Sequence, residues 1–279
     1  MTVSRYTGEM RIRPTAKSWY LLDSGPGSAA FNMALDSRLL DLAVELALAG
    51  ILRFYWFARP AITLGRFQKA GVLNSSRCQA DGIEIVQRPT GGRAVFHQHE
   101  LTYSLIMPLE NPYFGAGVTS SFQAISRVLQ QGVGNLNLKA QLEKSRSGRH
   151  VGAEADCFKS AGRYELKVGS AKLLGSAQVR RNGYLLQHGS IYLRYEPGCF
   201  EPYLKAGSGG SGRTGVNYVT DLSTLLERSV DRAEVQVALI RGFKQAWDLE
   251  FATLVPPFSG LSPSQAGLAM RTQRKQNHQ

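Results

Sequence analysis

The alternation of apolar and polar residues along the chain predicts helices interleaved with strands. Over residues 31–50, apolar side chains recur every three or four positions, which is the spacing of one helix face. A Gly-Ser pair before this segment predicts its cap, and Gly50 predicts its end. The same spacing predicts helices over 121–136 and 229–248, and Asn and Ser residues predict the start of a short helix over 74–82.

Runs of β-branched and aromatic residues predict the strands. The first four runs cover 51–57, 61–65, 83–88 and 100–109. Residues 163–195 predict a three-stranded antiparallel meander, because Asn182-Gly183 is a strong two-residue hairpin turn and Gly169-Ser170 a weaker one. Since strands and helices interleave, we expect a single α+β domain built on a mixed sheet.

We expect a central domain over 18–255, an N-terminal extension over 1–17 and a basic, poorly ordered tail over 256–279. A Gly/Ser-rich stretch, 205–215, is expected to be a surface loop. No apolar run is long enough for a membrane span, and the first residues lack the apolar core of a secretory signal. Three cysteines are too few for a disulfide framework, which favours the cytoplasm.

The formal net charge of +12 favours anionic partners such as nucleic acid, acidic lipid or an acidic protein. The basic residues are scattered apart from short clusters. Neither zinc-ligand spacing nor a helix-turn-helix or aromatic RNA-binding motif accompanies them. Composition therefore does not choose between nucleic acid and an acidic protein or nucleotide.

The segment RPTGGRAVFHQHELTYS, residues 88–104, places two adjacent glycines directly after a predicted strand. Gly91 and Gly92 let backbone N–H groups approach a ligand, because glycine has no Cβ to clash with it. Such N–H groups suit phosphate or carboxylate oxygens, and Arg88 and Arg93 would add charge-assisted hydrogen bonds. A tight turn between two surface arginines explains the same pattern, since glycine is the ordinary turn residue.

The segment AKLLGSAQVRRNGYLLQHGSI, residues 171–191, concentrates polar side chains in one predicted hairpin. The register of its turn makes Gly189 oppose Ser176, and makes Leu193 oppose Lys172. His188 opposes an alanine on the other face of the hairpin. The polar side chains that share the first face are Lys172, Ser176 and Gln178. A lysine on an apolar strand face is costly unless it lies at an exposed edge or meets an anion.

Both segments resemble the lipoate-protein ligase A and octanoyltransferase superfamily. The resemblance also covers DSGPGSAAFNMALD, LRFYWFARPAITLGRFQ and CFKSAGRYEL, in the family's order, over about residues 18–250. It implies the catalytic-domain fold shared by biotin and lipoate ligases, a mixed sheet with flanking helices related to class II tRNA synthetases. The residues that it implies for substrate binding are Arg88, Gly91, Gly92, Arg93, Ser176, Gln178, His188 and Gly189.

Within the superfamily the sequence is most similar to the cysteine-dependent octanoyltransferases. Arg93 stands where many ATP-dependent ligases have Gly, and we expect no C-terminal accessory domain of the ligase type. The match of DCFKSAGRYEL implies that Cys157 is the nucleophile, and that Lys172 steadies the oxyanion. Octanoyl would pass from a carrier-protein thioester to Cys157 and then to a lysine of a lipoyl domain, with neither cofactor nor metal.

The resemblance implies acyl carrier protein and lipoyl-domain proteins as partners, namely the glycine cleavage H protein and the E2 subunits of 2-oxoacid dehydrogenases. It implies neither a membrane nor a nucleic acid. Three alternatives stay open. They are an amidotransferase between lipoyl-domain proteins, a lipoate-protein ligase that uses ATP and Mg²⁺ with or without an accessory subunit, and a non-catalytic module that binds the acyl chain. The sequence does not choose the acyl donor, the chain length or the oligomeric state.

Other reactive residues compete for roles in this chemistry. Cys199, in EPGCFEPY, is a second candidate nucleophile, whereas Cys78 lies in a predicted helix and is expected to be structural. His97 and His188 are candidate general bases.

The sequence also departs from the family pattern. The family often has Asp at the positions of Lys159 and Gln98, and Arg at that of Gln87. Lys159 would either favour a thiolate at Cys157 or indicate a different acyl donor, and GRYEL also resembles a ligase segment.

Overall fold

A computed structural model of the protein describes residues 18–144, 164–206 and 219–254. Its α-helices are α1 (Ala29–Glu45), α2 (Ser75–Ala80), α3 (Val118–Gly134), α4 (Leu222–Leu226) and α5 (Arg232–Trp247). Its strands are β1 (Trp19–Gly27), β2 (Gly50–Phe57), β3 (Ala61–Leu64), β4 (Glu84–Gln87), β5 (Val95–His97), β6 (Glu100–Pro108), β7 (Gln141–Lys144), β8 (Tyr164–Val168), β9 (Ala171–Arg181), β10 (Tyr184–Tyr192) and β11 (Phe251–Thr253).

The strands form two sheets. Eight of them make a large sheet in the order β11-β1-β2-β6-β10-β9-β8-β7, and three make a small sheet in the order β4-β3-β5. In the large sheet β1 is parallel to both of its neighbours, and the other pairs are antiparallel. The predicted α+β class with a mixed sheet is therefore confirmed.

Helices cover both faces of the large sheet. Ile51, Ile106 and Leu186 pack with the apolar side of α1, whereas their neighbours in sequence pack with α3 and α5. Successive strand residues point to opposite faces, so both faces of these strands are apolar. This burial explains why the strands read as continuous apolar runs in the sequence.

The predicted helices and strands occur close to their predicted positions, but the first helix ends early and several further elements are present. Helix α1 begins after Ser28, whose side chain caps it as expected, but it ends at Glu45. Gly50 is instead the first residue of β2, where an added Cβ would lie 2.4 Å from the ring of Trp19. Close packing, and not a helix end, therefore requires this glycine. Strands β1, β5, β7 and β11 and helix α4 were not predicted. Four of these have only three to five residues, too few to show a period, and β1 ends in the turn-like residues SGPG.

The meander forms as predicted near its turn and departs from prediction farther away. Ser176 pairs with Gly189, as expected from the turn register. The prediction that Lys172 opposes Leu193 is wrong, because Leu193 donates its backbone N–H to the carbonyl of His99. Lys172 pairs instead with Lys167 of β8.

Several predicted segments lie outside the described residues. These are the N-terminal extension 1–17, the tail 256–279 and most of the Gly/Ser-rich stretch, so the predicted domain boundaries stay predictions. Among the helices of the described ranges, none is both long enough and apolar enough to cross a lipid bilayer.

Candidate active site

A cavity lies where the small sheet, α1 and the centre of the large sheet meet. The space in it that atoms do not fill is about 430 Å³, counting the part that opens to solvent. Met33, Val95 and Ala177 supply apolar side chains to its wall. Arg88, Ser176, His188 and Gly189 also line it, so the structure brings the two sequence segments together around one space.

The glycine loop, residues 88–94, is held by the buried guanidinium of Arg88. Its Nη1 donates to the carbonyl of Thr63 at 3.0 Å, and its Nη2 donates to the carbonyls of Gly91 at 2.8 Å and Arg93 at 2.6 Å. Through these bonds the Arg88 side chain holds the loop in shape. The predicted contact between Arg88 and a ligand stays a prediction.

The same loop packs backbone to backbone against residue 65. Gly92 has a φ of +95°, in the region that favours glycine. A Cβ on Gly65 would lie 1.8 Å from the carbonyl oxygen of Gly92, so only glycine fits at position 65. Around Gly91, by contrast, no described residue beyond its chain neighbours comes within 4 Å of an added Cβ, so there is open space on that side of the residue. The predicted roles of Gly91, Gly92 and Arg93 in binding substrate stay predictions.

His188 belongs to a buried polar cluster that reaches from α1 to the glycine loop. Its Nδ1 lies 2.9 Å from Oδ2 of Asp36, and its Nε2 lies 2.7 Å from Oγ1 of Thr90. Arg53 donates to Oδ1 of Asp36 at 2.6 Å, and the Tyr55 hydroxyl donates to Oδ2 at 3.0 Å. Asp36 and Arg53 are fully buried.

The charges in this cluster follow from its geometry. Burial on its own would raise the pKa of the Asp36 carboxyl, but the Arg53 guanidinium and the His188 hydrogen bond outweigh it, so that pKa is lowered. Burial and the Asp36 carboxylate hold the pKa of Tyr55 well above its usual value. Asp36 is thus an anion at neutral pH, and we assign the Nδ1 proton of His188 to the bond with it.

His97 forms another part of the cavity wall. Its ring stacks on Phe57 with centroids 3.9 Å apart, and its Nε2 lies 2.9 Å from Oγ1 of Thr63. Burial, together with the positive charge of Arg88, holds the pKa of His97 well below its usual value. The imidazole of His97 is therefore neutral at pH 7. Both histidines that the sequence suggests as general bases lie in the cavity wall.

A chain of hydrogen bonds supports the β9–β10 side of the cavity. The hydroxyls of Tyr103 and Ser176 lie 2.8 Å apart, and Gln187 donates to Tyr103 at 2.9 Å. Gln178 donates in turn to Gln187 at 3.0 Å and accepts from Ser121 of α3, and it does not line the cavity as the described residues form it. Burial raises the pKa of Tyr103 to about 12, so its hydroxyl stays protonated.

Lys172 is buried on β9 and forms an ion pair. Its Nζ lies 3.1 Å from Oε1 of Glu165 on β8, and both side chains are less than a tenth exposed. Lys167 also contacts Glu165, at 3.8 Å, and pairs with the exposed Glu143 at 2.6 Å. Lys172 does not line the cavity that the described part of the chain encloses.

The predicted nucleophile, Cys157, lies outside the described residues, as does Lys159. Cys78 is buried in α2, where burial raises the pKa of its thiol. Cys199 packs against an apolar cluster that includes Phe96 and Phe200, away from the cavity wall.

The sequence analysis did not identify three residues of this cluster, namely the buried anion Asp36, its cation Arg53 and Thr90, which contacts His188. Two signals for the anion and cation were present. Asp36 interrupts the apolar face of a predicted helix, and Arg53 interrupts an apolar strand. Opposite charges on two surfaces that must be buried indicate a buried ion pair, because an unpaired charge in a protein core is too costly.

Comparisons with known proteins place this chain in a family. The model of the lipoyl protein ligase A/B catalytic domain matches residues 28–244. The octanoyltransferase LipM of Carboxydothermus hydrogenoformans is 36% identical over 243 residues, which cover 84% of this chain and 88% of that protein. LipM of Bacillus subtilis is 35% identical over 238 residues, covering 82% and 86%.

Solved structures agree on the fold. A lipoate-protein ligase A bound with ATP superposes with a TM-score of 0.68 at 22% identity, covering 91% of this chain and 93% of that one. The bipartite lipoate protein ligase of Thermoplasma acidophilum gives a TM-score of 0.66 at 21% identity, covering 91% of each. The predicted superfamily resemblance is confirmed: the chain belongs to the lipoyl protein ligase A/B catalytic-domain family.

Proposed function

We infer that this protein is an acyltransferase that attaches octanoyl groups to lysine residues in protein lipoylation. The observation that carries this conclusion is its similarity to LipM octanoyltransferases, at 36% identity over 84% of the chain. The cavity agrees with an acyl substrate, because apolar side chains contribute to its wall beside the glycine loop.

We propose an acyl-cysteine mechanism. In the first step the thiolate of Cys157 attacks the carbonyl carbon of an octanoyl thioester on acyl carrier protein. A new C–S bond forms and the C–S bond to the carrier breaks, and the carrier thiolate takes up the proton that the Cys157 thiol released on becoming a thiolate. Because the acyl group arrives as a thioester, this step needs neither ATP nor a metal ion.

In the second step the amine of a lipoyl-domain lysine attacks the acyl-Cys157 carbonyl. The amide C–N bond forms, the C–S bond to Cys157 breaks, and the proton that the amine gives up returns the sulfur to a thiol. Lys172 donates a hydrogen bond to the oxyanion that develops in each step. Glu165, 3.1 Å from the Lys172 ammonium, would hold that donor in place.

The remaining predicted residues would bind the substrate. The open side of Gly91 would face the thioester carbonyl, with Gly92 and Arg93 shaping the loop beside it. Ser176, His188 and Gly189 line the cavity, which would hold the octanoyl chain. The partners would be acyl carrier protein as donor and, as acceptors, lipoyl-domain proteins such as the glycine cleavage H protein.

The test is intact-mass spectrometry of the purified protein mixed with octanoyl-carrier protein in the absence of ATP. We expect an octanoyl adduct on the wild type and none on Cys157→Ser. An adduct that survives Cys157→Ser and disappears in Cys199→Ser would move the nucleophile to Cys199. An adduct formed only from an octanoylated lipoyl domain would indicate the amidotransferase. Lipoyl-domain acylation that requires ATP and free lipoate, with no adduct, would make the protein a ligase.

A further inference from the structure

We propose that the loop of residues 65–69, called here the Phe67 loop, is the docking surface for the acceptor, an acidic lipoyl-domain protein. The proposal rests on the proposed function and assigns a surface to one of its partners. It follows from the exposure of Phe67, from the bonds that hold the loop beside the glycine loop, and from the charges on either side of the aromatic ring.

Phe67 is exposed far beyond the other large apolar residues that the structure describes. Its exposed fraction is 86%, against 57% for Val237, 41% for Val118 and 39% for Leu46. The guanidinium carbon of Arg66 lies 5.6 Å from the centre of the Phe67 ring. Aromatic residues and arginine are enriched in protein interfaces and in the few positions that dominate binding energy. An aromatic ring flanked by arginine is therefore suited to bury itself against a partner.

Hydrogen bonds fix the Phe67 loop to the active-site side of the molecule. The backbone N–H of Arg66 donates to the carbonyl of Thr90 in the glycine loop at 2.8 Å. Gln87 donates from its side chain to the carbonyl of Arg66 at 2.7 Å. Since Gly65 also packs directly on Gly92, the exposed ring sits on a loop whose backbone contacts the glycine loop beside the cavity. Docking there would bring a partner to the edge of the candidate site.

The charges indicate an acidic partner. Arg66 and Lys69 are both exposed, and neither forms an ion pair with a carboxylate in the described ranges. The whole chain carries a net charge of +12. Complementary charge on a partner would speed encounter and fix its orientation.

The reach of the reacting group favours the acceptor over the donor. The acceptor offers the amine at the end of one lysine side chain, so its body must come close to the acyl-enzyme. A carrier protein presents its acyl group on a longer prosthetic arm and can dock farther away. A surface that shares hydrogen bonds with the glycine loop fits the shorter reach.

The experiment measures binding and transfer separately for the unmodified glycine cleavage H protein. The variants are Phe67→Ala and the double variant Arg66→Glu with Lys69→Glu. The matched controls are Val237→Ala, the next most exposed apolar side chain, and Arg127→Glu, an exposed arginine on α3. Calorimetry gives the Kd, and a small donor, octanoyl-N-acetylcysteamine, gives the loading rate and the KM for the H protein without any donor docking.

We expect Phe67→Ala and the double charge variant each to raise the Kd and the acceptor KM about tenfold, the effect of losing one strong interface contact. Loading from the small thioester stays at the wild-type rate, and both controls behave as wild type. An unchanged Kd in Phe67→Ala overturns the proposal. A variant in which only the rate of loading from octanoyl-carrier protein falls overturns it as well. If the wild type binds the H protein but transfers nothing, the proposed function fails while the Kd series still tests the surface.

Discussion

The imidazole of His188 on β10 is hydrogen-bonded through Nδ1 to the carboxylate of Asp36 on α1, at 2.9 Å. The other oxygen of that carboxylate accepts from Arg53 of β2, and the other nitrogen of the imidazole contacts Thr90 of the glycine loop. One buried anion thus connects a helix, two strands and a loop behind the cavity. The shape of the candidate site depends on a charge that never meets solvent.

We expect Asp36→Asn to lower the free energy of unfolding by about 3–5 kcal/mol, because it leaves the fully buried Arg53 without its counter-charge. Urea unfolding at pH 7 measures the loss. Glu45→Gln is the matched control, since it breaks an ion pair with Arg38 in which both side chains are about half exposed. That control should cost less than about 1 kcal/mol. Equal effects of the two variants would contradict a central role for the Asp36 pair.

The lowered pKa of Asp36 also predicts how stability depends on acid. The folded state binds a proton at Asp36 less readily than the unfolded state, whose ordinary value is 3.8. This contribution to stability is therefore complete above that value and is lost as pH falls through it toward the folded-state pKa. Unfolding free energies measured from pH 6 down to pH 3 should fall less steeply in Asp36→Asn than in the wild type. Parallel curves would refute this assignment.

The carboxyl of Glu100 should make stability depend on pH in the direction opposite to Asp36. Burial raises its pKa from 4.5 to about 7, so between these values the folded state holds a proton that the unfolded state has released. Its contribution to stability then declines as pH rises from about 4.5 to 7. We expect Glu100→Gln to stabilise the protein by about 1–3 kcal/mol at pH 8 and much less at pH 5. Glu110→Gln, at an exposed site, should have no effect at either pH.

Glu165→Gln tests whether the ion pair with Lys172 matters for transfer. We expect kcat to fall about tenfold, because a misplaced ammonium would stabilise the oxyanion less well. Glu143→Gln is the control, since it removes an exposed carboxylate on the neighbouring strand β7 that pairs with Lys167 of β8. Single-turnover transfer from acyl-enzyme measures the effect, with thermal denaturation to compare stability. A transfer rate equal to that of Glu143→Gln would exclude a positioning role for Glu165.

Gly189→Ala tests the close packing between β9 and β10 beside the cavity. An added Cβ would lie 2.6 Å from both the Gly175 carbonyl oxygen and Oγ of Ser176. We expect a loss of about 1–3 kcal/mol in the free energy of unfolding from this overpacking. Gly134→Ala, where a Cβ meets nothing within 4 Å at the end of α3, should instead stabilise by about 0.5–1 kcal/mol. If Gly189→Ala left the free energy of unfolding unchanged, β9 and β10 would have to move apart at little cost to accommodate the added methyl group.

Local patterns account for the parts of the fold that were predicted correctly. The Asn182-Gly183 turn has both residues at positive φ, +51° and +77°, as a two-residue hairpin requires. Its register therefore follows from the sequence, and so does the pairing of Ser176 with Gly189. Close to the turn, hydrogen-bond geometry leaves only one arrangement. Farther from the turn, Leu193 donates its backbone N–H to the carbonyl of His99, so the predicted pairing of Lys172 with Leu193 does not form.

The sequence by itself determined the α+β class, the hairpin, the glycine loop and the family, because periodicity, turn residues and long motifs are local properties of the chain. Only the tertiary structure decided what the polar side chains contact. Asp36 and His188 are 152 positions apart, and Thr90 and His188 are 98 apart. A local pattern shows that a charge will be buried, but its partner depends on which strands become neighbours in the sheet. That order arises from packing across the whole molecule.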